Sequence, residues 1–590
     1  MLGYIKNCIK SINRRDWILI LTGTIAWSLI MVKSGLIYDY GMGFWGPNGH
    51  DGIWHISLAR SLADGSWNMP MFAGETITNY HIGFDLLLAV LHKITFIPIV
   101  NLYFQILPPI FALLIGIFVY KFVYTWQRDR AKACWATFFV YFGGSFGWIL
   151  TYLRNGDFGG ESLFWSQQSL STLINPPFAL SLIFIFSGLN LLIQGLRNNG
   201  KKHLTAATFL FGLLVQIKVY AGILVLGGLF VSGLWRMIQR RGISLIKVFT
   251  GALIISILIF SPMNNSSASS VVFKPFWFLE TMMSFSDRFG WQRFGEAMVN
   301  YKLGGVWIKG IVAYSAAFII FLVGNMGIRV VGGMYIVNKV RNLRKLNYLD
   351  AFVLSVIAAG VVLPMLFIQK GTAWNTIQFF YYSLIFFGIL AGITFAELLS
   401  KLGIQKTKYP GASIQYRSRS GMLRYMAVVG VVLFTLPSLV ATMRHYLPTR
   451  PPAKISVAEL EALKFLSKQP DGTVLTMPFD KKAADAAVSN PPRPLYLYES
   501  TAHVSAFSGK EVYMEDEVNL EITGYDWRGR REEVERILGY KDIGILGDFL
   551  DKNNISYVYW PKRSDKGEIW EDVGLEKVFE NDEVVIYAAT

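Results

Sequence analysis

Long apolar stretches separated by short polar segments fill most of the chain. A helix needs about 20 apolar residues to cross the ~30 Å hydrocarbon core of a bilayer. Stretches of about this length, one of them shorter, lie at Trp17–Ile37, Leu102–Tyr124, Ala133–Leu153, Ile174–Gln194, Leu204–Ile217, Val219–Ile238, Leu245–Phe260, Ile311–Tyr335, Ala351–Gln369, Thr376–Leu398 and Met422–Thr442. The pattern predicts a polytopic α-helical membrane protein with about 11 transmembrane helices.

The positive charges predict which side of the membrane each loop faces. Ile82–Ile99 is also apolar, but it contains Asp85, His92 and Lys93, and we predict an amphipathic helix in the outer interface. With this segment outside, every Lys/Arg cluster falls on one side, which the positive-inside rule makes cytoplasmic. We therefore expect the N-terminus inside and the C-terminus outside, in the plasma (cytoplasmic) membrane.

After Leu447 the pattern changes to short helices and strands. Ser456 and Glu459 form a capping box in sequence. Strands are predicted at Thr473–Met477, Ile555–Trp560 and Val584–Ala588, and helices at Arg531–Leu538 and Asp542–Asp551. The expected organisation is a transmembrane domain at 1–446, with large outer-face loops at 38–100, 154–173 and 261–310, and an extracytoplasmic α/β domain at 447–590.

Composition supports this organisation. The content of 53% hydrophobic and 16% charged residues exceeds what one water-soluble core buries. The net charge of +16 comes largely from the cytoplasmic clusters, so we expect membrane lipids and no nucleic acid as partners. Cys8 and Cys134 are the only cysteines, and we expect both to be free thiols.

The first outer loop concentrates side chains that can move protons. Asp51 and His55 lie four residues apart in a predicted helix and therefore share a face, with His50 beside them. His81 and Asp85 are also four residues apart and are expected to converge beneath that helix. Two simpler interpretations stay open: Asp51 only caps the helix, and Ile82–Ile99 is an interfacial helix whose polar side faces water.

Three other places offer polar groups at the outer face. Lys218 lies between two apolar stretches, where it either binds an anion or extends to the interface. The turn with Trp374, Asn375 and Gln378 joins amides to aromatic rings, as in a sugar site or an interfacial aromatic belt. Asp157 and Glu161 are candidates for a second acidic site that binds a metal or the acceptor.

Two sequence segments resemble a known family. Asp51 precedes Ile56-Ser-Leu-Ala-Arg-Ser-Leu62, and Asn79–His92 follows; together they resemble the start of the GT-C superfamily of integral membrane glycosyltransferases. Within it, the chain is most similar to the aminoarabinose transferases and protein O-mannosyltransferases, and Leu213–Gly222 lies where the aminoarabinose transferases have a lysine-glycine turn on the outer side. The chain differs in having Gly52 where many relatives have a second acidic residue, and Tyr220–Gly222 where glycine-proline is usual.

The resemblance implies an activity. Such enzymes transfer a sugar from a polyprenyl-phosphate carrier to a glycan, lipid or protein acceptor at the outer face. Asp51 would be the general base that takes the proton of the acceptor hydroxyl, and direct displacement would invert the anomeric carbon. Lys218 would stabilise the departing phosphate. The expected substrate-binding residues are His50, His55, His81, Asp85, Lys218, Tyr220, Trp374, Asn375 and Gln378.

Several alternatives stay open. His50, His55, His81 and Asp51 offer ligand atoms for a divalent metal, but their spacing matches no closed structural site, so a metal-free base is preferred. An enzyme that polymerises lipid-linked oligosaccharides would use the same face and carrier. A transporter or lipid flippase would show two similar halves with polar groups at the bilayer midplane, and the sequence has no such repeat.

Overall fold

The computed structural model describes residues 12–264, 271–402, 420–539, 543–562 and 569–589. Each predicted apolar stretch overlaps helix in these ranges, although Ile37 and Phe367–Gln369, at the ends of two stretches, lie in strands. Up to residue 446 the helices are α1 (Arg14–Val32), α2 (Asp51–Ala63), α3 (Gly83–Thr95), α4 (Leu107–Gln127), α5 (Arg130–Phe142), α6 (Gly147–Asn155), α7 (Pro176–Asn198), α8 (Lys201–Ile217), α9 (Val219–Ile238), α10 (Ser244–Phe260), α11 (Trp277–Ser284), α12 (Gln292–Leu303), α13 (Trp307–Met326), α14 (Gly333–Arg341), α15 (Tyr348–Leu366), α16 (Gln378–Lys401) and α17 (Ser420–Tyr446).

Within the described ranges, nine helical segments are long and apolar enough to cross a bilayer, or ten if the bent pair α5 and α6 forms one span. Helix α8, which covers the shortest predicted stretch, has 17 residues and is not among these segments. Helix α3 has 13 residues and begins at Gly83, inside the predicted interfacial segment. The chain is a polytopic helical membrane protein, and the number of crossings and their orientation remain predictions.

Small residues and local caps set how these helices begin and pack. Asn175 caps α7 by accepting from the N–H of Phe178, and Pro176 occupies the first turn, where a missing N–H costs nothing. A Cβ on Gly392 would lie 2.2 Å from the backbone nitrogen of Ala136. Glycine therefore allows α16 to contact the backbone of α5 directly, near the centre of the bundle.

The segment beyond residue 447 contains short helices and two sheets. Its helices are α18 (Val457–Leu466), α19 (Lys481–Ala487), α20 (His503–Ser508), α21 (Glu517–Thr523), α22 (Trp527–Gly539), α23 (Ile543–Lys552) and α24 (Ile569–Asp572). The strands in the described residues are β1 (Leu36–Tyr38), β2 (Gly41–Phe44), β3 (Val271–Phe273), β4 (Phe367–Gln369), β5 (Ala453–Ile455), β6 (Thr473–Thr476), β7 (Arg493–Pro494), β8 (Ile555–Pro561), β9 (Glu576–Glu580) and β10 (Val584–Ala588). One sheet has the order β6-β8-β10-β9, and the predicted capping box of Ser456 and Glu459 is confirmed.

A second sheet joins this segment to the first outer loop. Its order is β1-β2-β5-β7, and Gly43 of the first loop pairs with Lys454. The backbone N–H of Val512 donates to the Pro70 carbonyl at 2.7 Å. The sequence predicts a separate domain at 447–590, and these contacts attach it to the first outer loop, because β2 leaves an edge that β5 completes.

Cys134 is a free thiol, whereas Cys8 lies outside the described residues. The Lys and Arg residues between α16 and α17 also lie outside the described residues, whereas Lys401 at the end of α16 and Arg424 near the start of α17 are described.

Gly41 provides a test of the shared sheet. Its φ is +106°, and an added Cβ would meet the carbonyl oxygen of Ile455 at 2.1 Å. Gly65 also has a positive φ, +84°, but with no atom within 4 Å of an added Cβ. We expect Gly41→Ala to lower the thermal unfolding temperature by several degrees, because a strained φ costs of order 1–3 kcal/mol and the clash adds to it.

Gly65→Ala is the matched control, since it has the strain without the clash. Equal unfolding temperatures for the two variants in detergent would contradict a structural role for the contact between β2 and β5.

Candidate active site

A cavity of about 250 Å³ lies where α2, the ends of α8 and α10, the start of α16 and α21 meet. Both membrane-spanning helices and the C-terminal segment contribute to its wall. The lining residues are Asp51, Trp54, His55, Asn79, Tyr80, His81, Ile174, Asn175, Lys218, Val219, Tyr220, Ile223, Phe260, Asn264, Val271, Gln369, Asn375, Thr376, Gln378, Phe379, Asn519 and Ile522. Seven predicted site residues are therefore brought together: Asp51, His55, His81, Lys218, Tyr220, Asn375 and Gln378.

Asp51 is the first residue of α2, and its half-exposed side chain lines the cavity. His50 Nδ1 lies 2.9 Å from Asp51 Oδ1, and His50 Nε2 lies 3.3 Å from Asp516 Oδ1. Burial opposes charge on His50, but Asp516 and Asp51 outweigh it and raise its pKa well above the ordinary value. Burial also opposes ionisation of Asp51, yet His50, His55 and Lys218 together lower the pKa of Asp51. The Asp51 carboxylate is thus ionised at neutral pH.

At Gly52, which follows Asp51 at the start of α2, there is no space for a second acidic side chain. A Cβ at Gly52 would lie 2.8 Å from the Phe104 ring and 3.3 Å from the Tyr103 ring. Both rings belong to the π-helical turn Leu102–Ile106 that precedes α4. A second carboxylate at this position would therefore displace the aromatic support of α2.

His55 and Asp85 form a buried pair between α2 and α3. The distance from His55 Nδ1 to Asp85 Oδ1 is 2.6 Å, and Asp85 is fully buried. Burial raises the pKa of Asp85, and the contact with His55 opposes that shift. A Cβ on Gly83 would lie 2.7 Å from the carbonyl oxygen of Gln216, so glycine lets α3 approach the end of α8 and places Asp85 near Lys218.

Lys218 occupies the break between α8 and α9. Its backbone is extended, with φ −160° and ψ 112°, and its side chain is buried at 6% exposure while lining the cavity. Its Nζ lies 5.7 Å from the centre of the Tyr220 ring. Burial lowers the pKa of Lys218 to about 8, although Asp51 and Asp85 favour its charge. The first N–H groups of α9 lack intrahelical acceptors, so cation and helix start together suit an anion.

Amide groups line another part of the cavity wall. Tyr220 Oη donates to Gln369 Oε1 at 3.1 Å, and Asn175 Nδ2 lies 3.4 Å from Gln378 Oε1. The Asn375 side chain donates to Thr372 Oγ1 at 3.1 Å. Amides beside the Tyr220 and Phe379 rings, whose centres are 4.8 Å apart, match the groups that bind sugar hydroxyls and ring faces.

The structure does not bring the other predicted residues to the cavity wall. Trp374 is 52% exposed, because the short helix Ala373–Ile377 turns it away while Asn375 lines the cavity. Asp157 is exposed and lies 2.9 Å from Arg444. Glu161 is buried and accepts hydrogen bonds from the Gln168 N–H and from Ser171 Oγ. Asp157 and Glu161 thus face different partners and do not form one acidic site.

Four polar residues of the site stand outside the motifs found in the sequence. Asn175 and Asn264 line the cavity from helix ends, and Asn519 lines it from α21. Asp516 contacts His50 from a left-handed backbone conformation, with φ +55°. Asp516 precedes α21 and caps it by accepting from the Asn519 N–H. The sequence could therefore indicate a helix cap at Asp516, but not its contact with His50.

The histidines and carboxylates of the site do not fit a metal ion. In the part of the chain that the structure describes, no group of three or more His, Cys, Asp or Glu side chains is placed to hold one. Both nitrogens of His50 face carboxylates, and Nδ1 of His55 faces Asp85. The side chains of the site are therefore considered for acid–base chemistry and hydrogen bonding.

Comparison with solved structures shows what this fold is similar to. Archaeal oligosaccharyltransferase AglB from Archaeoglobus fulgidus, in complex with an inhibitory peptide and a dolichol-phosphate, aligns with a TM-score of 0.51 and 10% identity, over 93% of this chain and 69% of that one. The oligosaccharyltransferase of the same organism in a complex with zinc and sulfate aligns with a TM-score of 0.51 and 12% identity, over 92% and 68%. No protein-family model and no curated protein sequence matches the chain. At this identity the likeness shows the fold, and the more specific resemblance to aminoarabinose transferases and O-mannosyltransferases is not shown by it.

The buried carboxyl group of Glu161 makes the stability of the folded protein depend on pH. Burial raises its pKa from 4.5 to about 7. Because the folded state holds this proton more tightly than the unfolded state, the stability contribution is complete below about pH 4.5 and is lost as the pH rises to about 7, a change of roughly 3 kcal/mol. We expect Glu161→Gln to become more stable than wild type across this interval, measured as unfolding temperature against pH.

Asp157→Asn is the control, because Asp157 is exposed and close in sequence. A difference between Glu161→Gln and wild type that stays constant from acid to neutral pH would contradict the raised pKa.

Proposed function

We propose that the chain is a membrane glycosyltransferase of the GT-C type. It transfers a sugar from a polyprenyl-phosphate carrier to an acceptor hydroxyl at the extracytoplasmic face of the plasma (cytoplasmic) membrane, with inversion. The acceptor is a glycan, a lipid or a protein. The similarity to aminoarabinose transferases and O-mannosyltransferases is part of this proposal.

The observation that carries the proposal is one cavity with an ionised carboxylate and a buried cation. Asp51 and Lys218 both line it, and each influences the other's protonation. A reaction that deprotonates an acceptor and releases a phosphate requires this pair of charges. A cation without a partner would instead be costly in so buried a place.

The wall of the cavity also suits a lipid-linked donor. Ile223 of α9 and Phe260 of α10 line it from helices that are apolar enough to span the membrane, and Ile223 is 47% exposed. A polyprenyl chain beside these helices would place its phosphate near Lys218. The likeness to a structure containing dolichol-phosphate supports a phosphorylated polyprenol as the carrier.

The proposed reaction uses these side chains. The acceptor oxygen forms a bond to the anomeric carbon while the bond from that carbon to the phosphate oxygen breaks, and its electron pair leaves with the phosphate. The hydroxyl proton passes to Asp51 as the general base. Because the hydroxyl becomes acidic as its oxygen bonds to carbon, a carboxylate of low pKa is a sufficient base. His50 orients Asp51, and Tyr220, Asn375 and Gln378 bind sugar hydroxyls.

Asp51→Asn tests the base. We expect the rate of sugar transfer in liposomes to fall by about 10²–10⁴-fold, measured as polyprenyl phosphate released from a panel of polyprenyl-phosphate sugars. Asp64→Asn, at the exposed opposite end of α2, is the control and should retain the wild-type rate. Equal release by the Asp51 variant and wild type would remove Asp51 from the reaction.

Lys218→Met tests the phosphate site. A hydrogen bond to a charged group contributes about 1.5–3 kcal/mol, so binding of a short polyprenyl phosphate should weaken by about 10–100-fold. In wild type the affinity should fall as the pH rises through about 8, where Lys218 loses its proton, and the variant should lack this transition. An unchanged transition in Lys218→Met would contradict the assignment.

A further inference from the structure

Behind the cavity wall lies a buried carboxylate that the proposed reaction does not use. Asp85 is fully buried on α3, and its Oδ2 has no hydrogen-bond partner among the described residues. Its Oδ1 lies 2.6 Å from His55 Nδ1. A buried ionised carboxylate is costly unless a partner compensates it, and the imidazole of His55 is the side chain that does so by hydrogen bonding.

The other two histidines of the site differ from His55. Both ring nitrogens of His50 face carboxylates, those of Asp51 and Asp516, so none is left for a ligand. His81 lines the cavity, but burial, together with the charges of Lys218 and His55, lowers its pKa well below the ordinary value. His81 is therefore neutral. His55 combines a carboxylate at Nδ1 with a place on the cavity wall, which leaves Nε2 for a ligand.

We propose that His55 is a second phosphate-binding catalytic residue. In its imidazolium form the Nε2–H donates to the departing phosphate oxygen beside Lys218, and Asp85, 2.6 Å from Nδ1, is the positioning residue that orients the ring. The inference rests on the proposed function, since it assigns a further group to the same phosphate. No covalent bond to His55 forms: the phosphate oxygen receives the electron pair from the anomeric carbon and accepts the hydrogen bond.

The surroundings of His55 suit this role. Its ring lies 5.8 Å from the Tyr103 ring and 6.3 Å from the Tyr80 ring, centre to centre, so aromatic faces fix its orientation. His55 and Lys218 both influence the pKa values of Asp51, Asp85 and His81, which places the two side chains in one neighbourhood. The titratable groups facing His55 are Asp51, Tyr80, His81, Asp85, Tyr103 and Lys218.

The test measures phosphate binding and does not depend on sugar transfer. Dissociation constants of a short-chain polyprenyl phosphate are measured for the full-length protein in detergent from about pH 5.5 to 8, the interval in which histidine changes charge. We expect His55→Gln to bind about tenfold or more weakly at the acidic end, as expected for loss of one charged hydrogen bond. The two constants should converge at the alkaline end. The phosphate and Lys218 titrate in both proteins, so their effects cancel in the ratio of the two dissociation constants.

Asp85→Asn is the second variant, which keeps the size of the side chain, and it should weaken acidic binding in the same direction. His92→Gln is the control: His92 lies on α3 like Asp85, but its Nδ1 contacts the Ile97 carbonyl at 2.7 Å, and it does not line the cavity. Its affinity should equal that of wild type at every pH.

The outcomes separate the two proposals. A ratio of dissociation constants for His55→Gln and wild type that does not change with pH, or that stays within about twofold, would overturn the role of His55. So would the absence of phosphate binding by wild type. The expected pH dependence without sugar transfer by wild type would support the His55 site and refute the proposed transfer.

Discussion

The site depends on keeping ionisable side chains paired where they are shielded from water. Asp85 is compensated by His55, and Asp516 by His50, which also contacts Asp51. Removing one member of such a pair leaves a buried charge without compensation, which typically costs several kcal/mol. These pairs join α2, α3 and the residue preceding α21, so the electrostatic requirement also fixes how three separate parts of the chain meet.

The C-terminal segment is part of the site because of this requirement. Asp516 contacts His50, and Asn519 and Ile522 line the cavity. Strand β5 completes the sheet that β2 begins, and Arg60 of α2 donates to the Phe507 carbonyl at 2.8 Å. These contacts hold the segment along α2, from His50 at its N-terminal end to Arg60 in its last turn. The segment therefore supplies both wall and charge to a cavity whose floor comes from the membrane-spanning helices.

Much of the fold was predictable because hydropathy acts over the length of a whole helix. Every predicted apolar stretch overlaps helix in the described ranges, and the capping box of Ser456 and Glu459 is present. The shared face of Asp51 and His55 was also predictable, since helical spacing alone places residues four apart together. By contrast, the prediction that Asp157 and Glu161 share one acidic site uses only their proximity in sequence. In the structure Asp157 contacts Arg444, whereas Glu161 is buried and accepts a hydrogen bond from the Gln168 N–H.

The sequence by itself determined the membrane class, the helical segments and the local side-chain spacing in α2, because these follow from interactions between residues close along the chain. Only the tertiary structure decided that Asp516 meets His50, that Asn519 joins the cavity and that Trp374 does not. It also decided which carboxylates the histidines meet, since His55 pairs with Asp85, 30 residues away, and His50 with Asp516 of the C-terminal segment. Such pairings are selected by packing and by the cost of leaving buried charges alone, and neither is encoded in local periodicity.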